Sequence, residues 1–264
     1  LDRTTYLSPS LPAVLRLGVA TRGGSQIQPD DVRYAIDRGV NYLNWCGHAD
    51  GLSRAIASLG PKRSDVVVAL QFEASSAASA RREFARYLDQ LETSYLDIAT
   101  LYYVESESEW DEIVAPKGPW QALAREKERG RLRMIGLTTH QRNLAARWAG
   151  TGKLDMLMIR YNAAHRGAER EIFPTVKIPV VTFTGLRWKA LLRPSPDASP
   201  TAADCYRFCL AHPGVAVALA APSNRAELES NLTLLDDWQA PTSSELERMR
   251  RHGDWVRSHA GAFP

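Results

Sequence analysis

Eight short β-rich segments, each followed by a longer stretch, constrain this 264-residue chain more than any other feature. They are Leu15–Thr21, Asn41–Cys46, Asp65–Gln71, Leu96–Val104, Met134–Thr139, Leu157–Asn162, Pro179–Thr184 and Ala216–Ala221. Val66-Val67-Val68-Ala69-Leu70 and Ile178-Pro179-Val180-Val181 are almost continuously apolar. A strand with one wet face alternates apolar and polar residues. A strand covered on both faces does not, and parallel sheets flanked by helices contain such strands. The intervening stretches carry helix signals. Pro29-Asp30-Asp31 opens one that ends at Gly39, and Ser53–Leu59 stops at Gly60-Pro61. Ser76–Leu91, Trp120–Arg129, Gln141–Ala149, Asp204–Ala211 and Arg225–Leu235 follow. Polar or acidic starts with Gly or Pro stops are the expected end signals.

Repeated β-then-α units predict an α/β fold. Eight units close most simply into a (β/α)8 TIM barrel, which takes about 250 residues, so residues 1–264 are read as a single domain. An open doubly wound sheet is the alternative. Leu1–Val14, with Ser8-Pro9-Ser10 and Pro12, is expected to form an N-terminal plug or hairpin at the barrel bottom. Ser243–His259 is expected to be an extra C-terminal helix, and Arg193–Pro200 a surface loop.

Charge and cysteine content narrow the function. A net charge of +3 with Arg interleaved among Glu and Asp gives no nucleic-acid or membrane footprint. Cys46, Cys205 and Cys209 do not make a disulfide framework, and the last two, one helical turn apart in an apolar segment, read as buried thiols. No apolar run approaches the ~18 residues of a membrane span. Leu1–Pro12 lacks a basic stretch followed by an apolar one, so the expected location is cytoplasmic. The expected assembly is a monomer or weak homo-oligomer.

Five ordered segments carry a resemblance. Gly39-Val40-Asn41-Tyr42-Leu43-Asn44 is similar to a second-strand signature of the aldo/keto reductases. Tyr95-Leu96-Asp97 resembles their fourth strand, Gly130 to Thr138 their fifth, Tyr161-Asn162 the sixth-strand pair, and Leu219 to Asn231 the loop after the eighth strand. Each is weak alone; five in register across the chain are strong. The resemblance implies a barrel with a bound NADP(H) and a small-molecule substrate. It also implies an acid-base tetrad of Asp, Tyr, Lys and His. At those positions this chain carries Asn44, Ala49, Gln71 and Tyr102. Ala49 has no proton to give, and neutral Asn44 and Gln71 cannot shift a neighbour's pKa by charge.

On the cofactor side, the resemblance places Phe183 under the nicotinamide and Thr138-Thr139 at its carboxamide, with Met158 where the family has a Gln. Ser223, Asn224, Arg225, Glu227 and Asn231 fall where the 2′-phosphate and adenine are held; Arg225 could fork onto a phosphate. Ser223 and Asn224 read equally as helix caps, and Phe183 equally as core. Arg22-Gly23-Gly24-Ser25 lacks the spacing of a phosphate-binding glycine motif.

Barrel enzymes work at the C-terminal ends of their strands. That rim would carry Thr21, Trp45, Cys46, His48, Gln71, Glu73, Tyr102, Tyr103, Glu105, His140, Arg160, Asn162, His165, Arg166, Arg187 and Trp188. Neighbours on a strand alternate, so some of these must point into the helix layer. Of these, Trp45, Tyr103, His140, Arg160 and Asn162 are the substrate-binding candidates. Tyr102, tuned by Arg160 or His140, is a candidate acid; Cys46 with His48 is a candidate nucleophile pair or, with Glu73 or His165, a partial metal site, though no spacing demands one. Glu105, Glu107, Glu109 and Asp111 read as a solvated acidic loop anchored by Trp110, Glu169-Arg170-Glu171 as a solvated helix start, and Asp97 as part of a strand edge or a ladder-side hydrogen bond. The functional expectation is an enzyme with altered chemistry: a redox reaction with NADP(H), or a non-redox proton transfer, elimination or cyclisation. A non-catalytic NADP(H)-sensing or partner-binding barrel is the alternative.

Overall fold

The computed structural model describes residues 1–22, 24–196 and 198–262; Gly23 of the first glycine loop and Asp197 of the Arg193–Pro200 loop lie outside them. Eight parallel strands close into a barrel: β3 (Leu17–Ala20), β4 (Tyr42–Trp45), β5 (Val67–Phe72), β6 (Leu96–Leu101), β7 (Leu132–Thr138), β8 (Met156–Arg160), β9 (Val180–Phe183) and β10 (Val217–Ala220), with β10 pairing back onto β3. The eight segments expected from sequence each overlap one of them, with β5, β7 and β8 running one or two residues beyond the expected bounds. The helices are α1 (Pro29–Asp37), α2 (Gly51–Ala57), α3 (Ala77–Gln90), α4 (Glu107–Val114), α5 (Pro119–Glu128), α6 (Arg142–Ala149), α7 (Ala168–Glu171), α8 (Ala202–Ala211), α9 (Arg225–Leu232) and α10 (Ser243–His259).

The continuously apolar strands are explained by two separate cores. Tyr42, Val67, Ile98, Met134, Met156, Val181 and Val217 fill the barrel lumen. Leu43, Val68, Ala99, Ile135 and Leu157 face outward into the layer between strands and helices. Both faces are dry, so no alternation is required.

The N-terminal segment is the hairpin form of the expectation. Strands β1 (Thr4–Thr5) and β2 (Val14–Leu15) pair antiparallel, Thr4 opposite Leu15. The connecting loop drives Leu7 and Leu11 into the lumen cluster and seals the lower end. Asn41 of the second-strand signature staples that seal: its Oδ1 accepts from Leu15 N at 2.8 Å and its Nδ2 donates to Ala13 O at 2.8 Å. Arg16 does the same from the other side, donating to Leu210 O at 3.0 Å and Val215 O at 2.7 Å. Asp97 is buried, accepts from Val68 N at 2.9 Å and pairs with Arg63 at 2.8 Å and Arg133 at 3.5 Å, so the expected ladder-side bond is accompanied by a charge cluster.

Two segments differ from expectation. The acidic run Glu107–Val114 is a helix, α4, capped by the Ser106 side chain, and its Trp110 stacks on Trp148 with ring centroids 5.1 Å apart. Acidic residues in a first turn favour a helix through its dipole, a signal overlooked when the run is read as a charged loop. Glu169, in α7, is not simply solvated: it accepts from Tyr161 Oη at 2.7 Å and binds Arg250 through both oxygens at 2.9 and 3.0 Å. That fork docks α10 on the barrel. Gly253 permits the close approach, since a Cβ there would lie 2.1 Å from Ala163 O.

Candidate active site

At the C-terminal ends of the strands lies a cavity of about 190 Å³. Its floor is made by inward-facing residues: Ala20 from β3, Asn44 from β4, Gln71 from β5, Met158 from β8 and Leu219 from β10. Tyr102 and Tyr103 line it just beyond β6, and Phe183 and Thr184 at the end of β9. Leu186, Trp188 and Lys189 follow, then Glu227 and Asn231 from α9. Asn44, Gln71, Tyr102, Tyr103, Phe183, Glu227 and Asn231, singled out from sequence, thus share one cavity.

The polar groups of the floor, Asn44 and Gln71, carry no charge. Asn44 is 2% exposed, and no hydrogen bond reaches its buried Oδ1. Tyr102 is tilted against Tyr103, ring centroids 4.2 Å apart. Burial pushes the Tyr102 phenol well above its ordinary range, and Tyr103, Glu73 and Cys46 add to the shift. Its phenol is thereby held in the protonated form. Tyr103 in turn stacks on His140, centroids 4.6 Å apart and planes 15° from parallel, with Phe183 edge-on to both rings. Glu105 fixes the imidazole: its Oε1 accepts from His140 N at 2.9 Å and lies 3.1 Å from Nδ1. Burial and the Arg160 guanidinium lower the His140 pKa, against the pull of Glu105.

Backbone strain gathers here. Of the six non-glycine residues with positive φ among the described residues, five lie in the two loops beside this cavity: Tyr103, Thr184, Arg187, Trp188 and Lys189. Each such residue costs on the order of 1 kcal/mol, and such residues cluster where a shape is needed for binding or chemistry. Tyr103 and Trp188 are also 36% and 59% exposed, two of three large apolar side chains left open to solvent among the described residues.

Other expected site residues are placed elsewhere. Trp45 is fully buried on the outer face of β4, edge-on to Tyr87 at 5.0 Å, with its Nε1 donating to His48 O at 2.8 Å. Strand alternation explains this, because Asn44 takes the lumen side. Cys46 contacts Thr21 Oγ1 at 3.6 Å and Asp50 Oδ2 at 3.7 Å, while the His48 side chain is exposed, so the two do not form a hydrogen-bonded pair. Ala49 is exposed as well. Thr138 points into the lumen, fully buried, with no partner for its hydroxyl. Asn162 is spent on the backbone, donating to Thr184 O at 2.9 Å and accepting from Ala164 N and His165 N at 3.0 Å each. Arg160 ends β8, half-buried, and burial lowers its pKa. No group of three or more His, Cys, Asp or Glu able to hold a metal is found among the described residues.

The start of α9 is also committed internally. Asn224 caps the helix, its Oδ1 accepting from Glu227 N at 3.0 Å. Ser223 gives its N–H to Glu227 Oε2 at 2.9 Å and receives Arg22 at its hydroxyl at 3.4 Å. Glu227 also pairs with Lys189. Arg225 lies between Glu229 at 2.7 Å and Asp31 at 3.3 Å, with its guanidinium carbon 3.7 Å from the centre of the Tyr34 ring.

The family model of the aldo/keto reductases matches residues 17–187. The chain belongs to the aldo/keto reductase family. Its fold is close to two solved members. The apo aldo-keto reductase AKR11C1 of Bacillus halodurans superposes with a TM-score of 0.77 at 20% identity, covering 95% of each chain. An aldo-keto reductase of Klebsiella pneumoniae, solved in complex with NADPH, gives 0.75 at 20% identity over 92% of each chain. No curated protein matches the sequence. In this aldo/keto reductase, Gln26 N donates to Ser223 O at 2.8 Å, joining the loop after β3 to the loop before α9 beside the cavity. No sequence signal marked that tie, nor the role of Glu105 behind His140. Only the barrel brings those segments together.

Proposed function

We propose that this aldo/keto reductase binds NADP(H) across the cavity and acts on a small organic substrate by chemistry that does not use the usual four-residue acid-base set. One observation carries the reading: a single cavity joins Asn44, Gln71 and Tyr102 to Phe183, Glu227 and Asn231. The residues would suit a dinucleotide: Phe183, Leu219 and Met158 would offer apolar surface to the nicotinamide, the unpartnered Asn44 Oδ1 would offer an acceptor, and Asn231 would serve the adenosine end. Arg22 and Lys189 line the same cavity, Lys189 paired with Glu227, and would supply positive charge for the phosphates. When bound, the cofactor supplies or accepts a hydride at its nicotinamide ring.

The chain's own groups set the rest of the chemistry. With Gln71 neutral, no cation on the floor draws the Tyr102 pKa down. Tyr102 then holds a substrate oxygen by donating from a neutral phenol, and its weak acidity slows full proton transfer. Phe183, Tyr103 and Trp188 would offer aromatic surface to the substrate. The reaction class that fits is a redox step on a substrate needing little acid assistance. A second reading, non-catalytic NADP(H) sensing, is favoured by the same raised Tyr102 pKa.

Titration with NADPH, read by calorimetry and quenching of native tryptophan fluorescence, tests the binding. Saturable binding weakened about tenfold by Phe183→Ala is expected. Absence of binding by any nicotinamide nucleotide overturns both readings.

A further inference from the structure

Resting on the reading that the upper cavity takes the substrate, we infer that Tyr103 is a specificity-determining wall, held in place by Glu105 and His140, that limits the substrate to a compact molecule. A second cavity, of about 230 Å³, lies between the ends of β5 and β6 and helix α4. Tyr102 and Tyr103 line both cavities. The Tyr103 ring, the more exposed of the two, stands between the spaces.

Folding gains little from this ring. It is 36% exposed, and its residue holds φ at +49°, a conformation unfavourable to any residue with a Cβ. The backbone is forced there from both sides. Tyr102 N donates to Phe72 O on β5 at 3.1 Å, and Val104 N donates to Thr138 O on β7 at 3.0 Å, so the chain at Tyr103 is pinned between two neighbouring strands. The side chain is held as well. His140 lies against it, ring centroids 4.6 Å apart and planes 15° from parallel. Glu105 fixes His140 twice, its Oε1 accepting from the backbone N at 2.9 Å and lying 3.1 Å from Nδ1. Glu105 is anchored in turn to α4, its N donating to Glu109 Oε2 at 2.6 Å. Glu105 and His140 are therefore positioning residues that act through Tyr103. A wall built this way selects by exclusion. A molecule that fits the first cavity binds, and one long enough to need the second meets a ring that cannot turn aside.

Calorimetric titration with two unreactive amides, benzamide and 4-phenylbenzamide, with and without NADPH, tests this. Their N–H can meet the unpartnered Asn44 Oδ1 and their C=O the Tyr102 phenol. Both are neutral, which keeps the Glu73, Glu109 and Glu112 carboxylates of the second cavity out of the comparison. The unaltered chain is expected to bind benzamide about tenfold more tightly than 4-phenylbenzamide. In Tyr103→Gly, which suits the left-handed backbone, the longer amide should gain about tenfold while benzamide changes by less than about threefold. Tyr103→Asn, also tolerated at positive φ, should give the same result if the glycine variant folds poorly. Tyr103→Phe and His140→Phe keep the wall and the stack and should keep the selectivity. Glu105→Ala and His140→Ala should lose part of it with unchanged circular dichroism. Equal binding of the two amides by the unaltered chain, or an unchanged ratio in both Tyr103→Gly and Tyr103→Asn, overturns the inference. Full selectivity in Glu105→Ala and His140→Ala overturns the positioning role. Amide selectivity without NADPH binding overturns the cofactor reading and leaves this one standing. Failure of both amides to bind any of these proteins overturns the reading of the cavity as a substrate site, and this inference with it.

Discussion

The two ends of the barrel are built on opposite principles. At the lower end Asn41, Arg16 and Asp97 have internal duties. Asn41 and Arg16 bond backbone carbonyls, Asp97 sits between Arg63 and Arg133, and Leu7 and Leu11 close the lumen. At the upper end Asn44 Oδ1 is unpaired, aromatic rings are open to solvent, and five residues hold left-handed backbone. Asn41 and Asp97 of the family-like segments work at the lower end. Asn44, Gln71 and Tyr102 line the cavity at the upper one, together with Leu219 and Asn231 of the segment after the eighth strand.

Substitutions at the two ends should therefore separate stability from function. The largest stability loss is expected for Asp97→Ala, which strands Arg63 without its buried partner; about 3–5 kcal/mol should disappear in chemical denaturation. Leu11→Ala should cost about 2–4 kcal/mol by opening space in the lower lumen, with NADPH affinity unchanged in the folded fraction. At the upper end the order reverses. Tyr102→Phe should leave denaturation midpoints nearly unmoved yet lower kcat about a hundredfold on any substrate found by screening. Unchanged turnover would remove Tyr102 from the chemistry.

A pH series sharpens the comparison. Burial and the guanidiniums of Arg160, Arg187, Arg257 and Arg142 push the His165 imidazole down to about 4. The unfolded chain binds that proton near pH 6.5, the folded protein only near 4. Stability should thus be complete above pH 6.5 and decline as pH falls towards 4, and His165→Gln should flatten that part of the curve. The smallest effect is expected at Thr184, a β-branched residue at φ +59°. Thr184→Gly should raise stability by about 1 kcal/mol while weakening NADPH binding, since the loop loses its preset shape.

The fold was legible because both-faces-buried strands, capped helices and repeat number are local properties of the chain. Strand positions such as Val67–Phe72 follow directly from apolar runs. The site was only partly legible. Alternation on β4 decides that Asn44 faces the lumen and Trp45 the helices, and a motif comparison that carries over positions singly does not apply that rule. Asn162 and Arg225 have the right chemistry for binding, but their partners Thr184 and Asp31 come from segments distant in sequence. The docking face of α10 was hidden too. Its buried residues Met249, His252, Gly253 and Val256 are scattered among charges, and Gly253 acts through the absence of a side chain.

The central claim, that the upper cavity is a dinucleotide site on a structurally separate lower barrel, is tested most directly by NADPH titration of three proteins side by side. Saturable one-to-one binding is expected in the unaltered chain, about tenfold weaker binding in Phe183→Ala, and undiminished binding in folded Leu11→Ala. Equal loss of binding in both variants, or no binding by the unaltered chain, would contradict it.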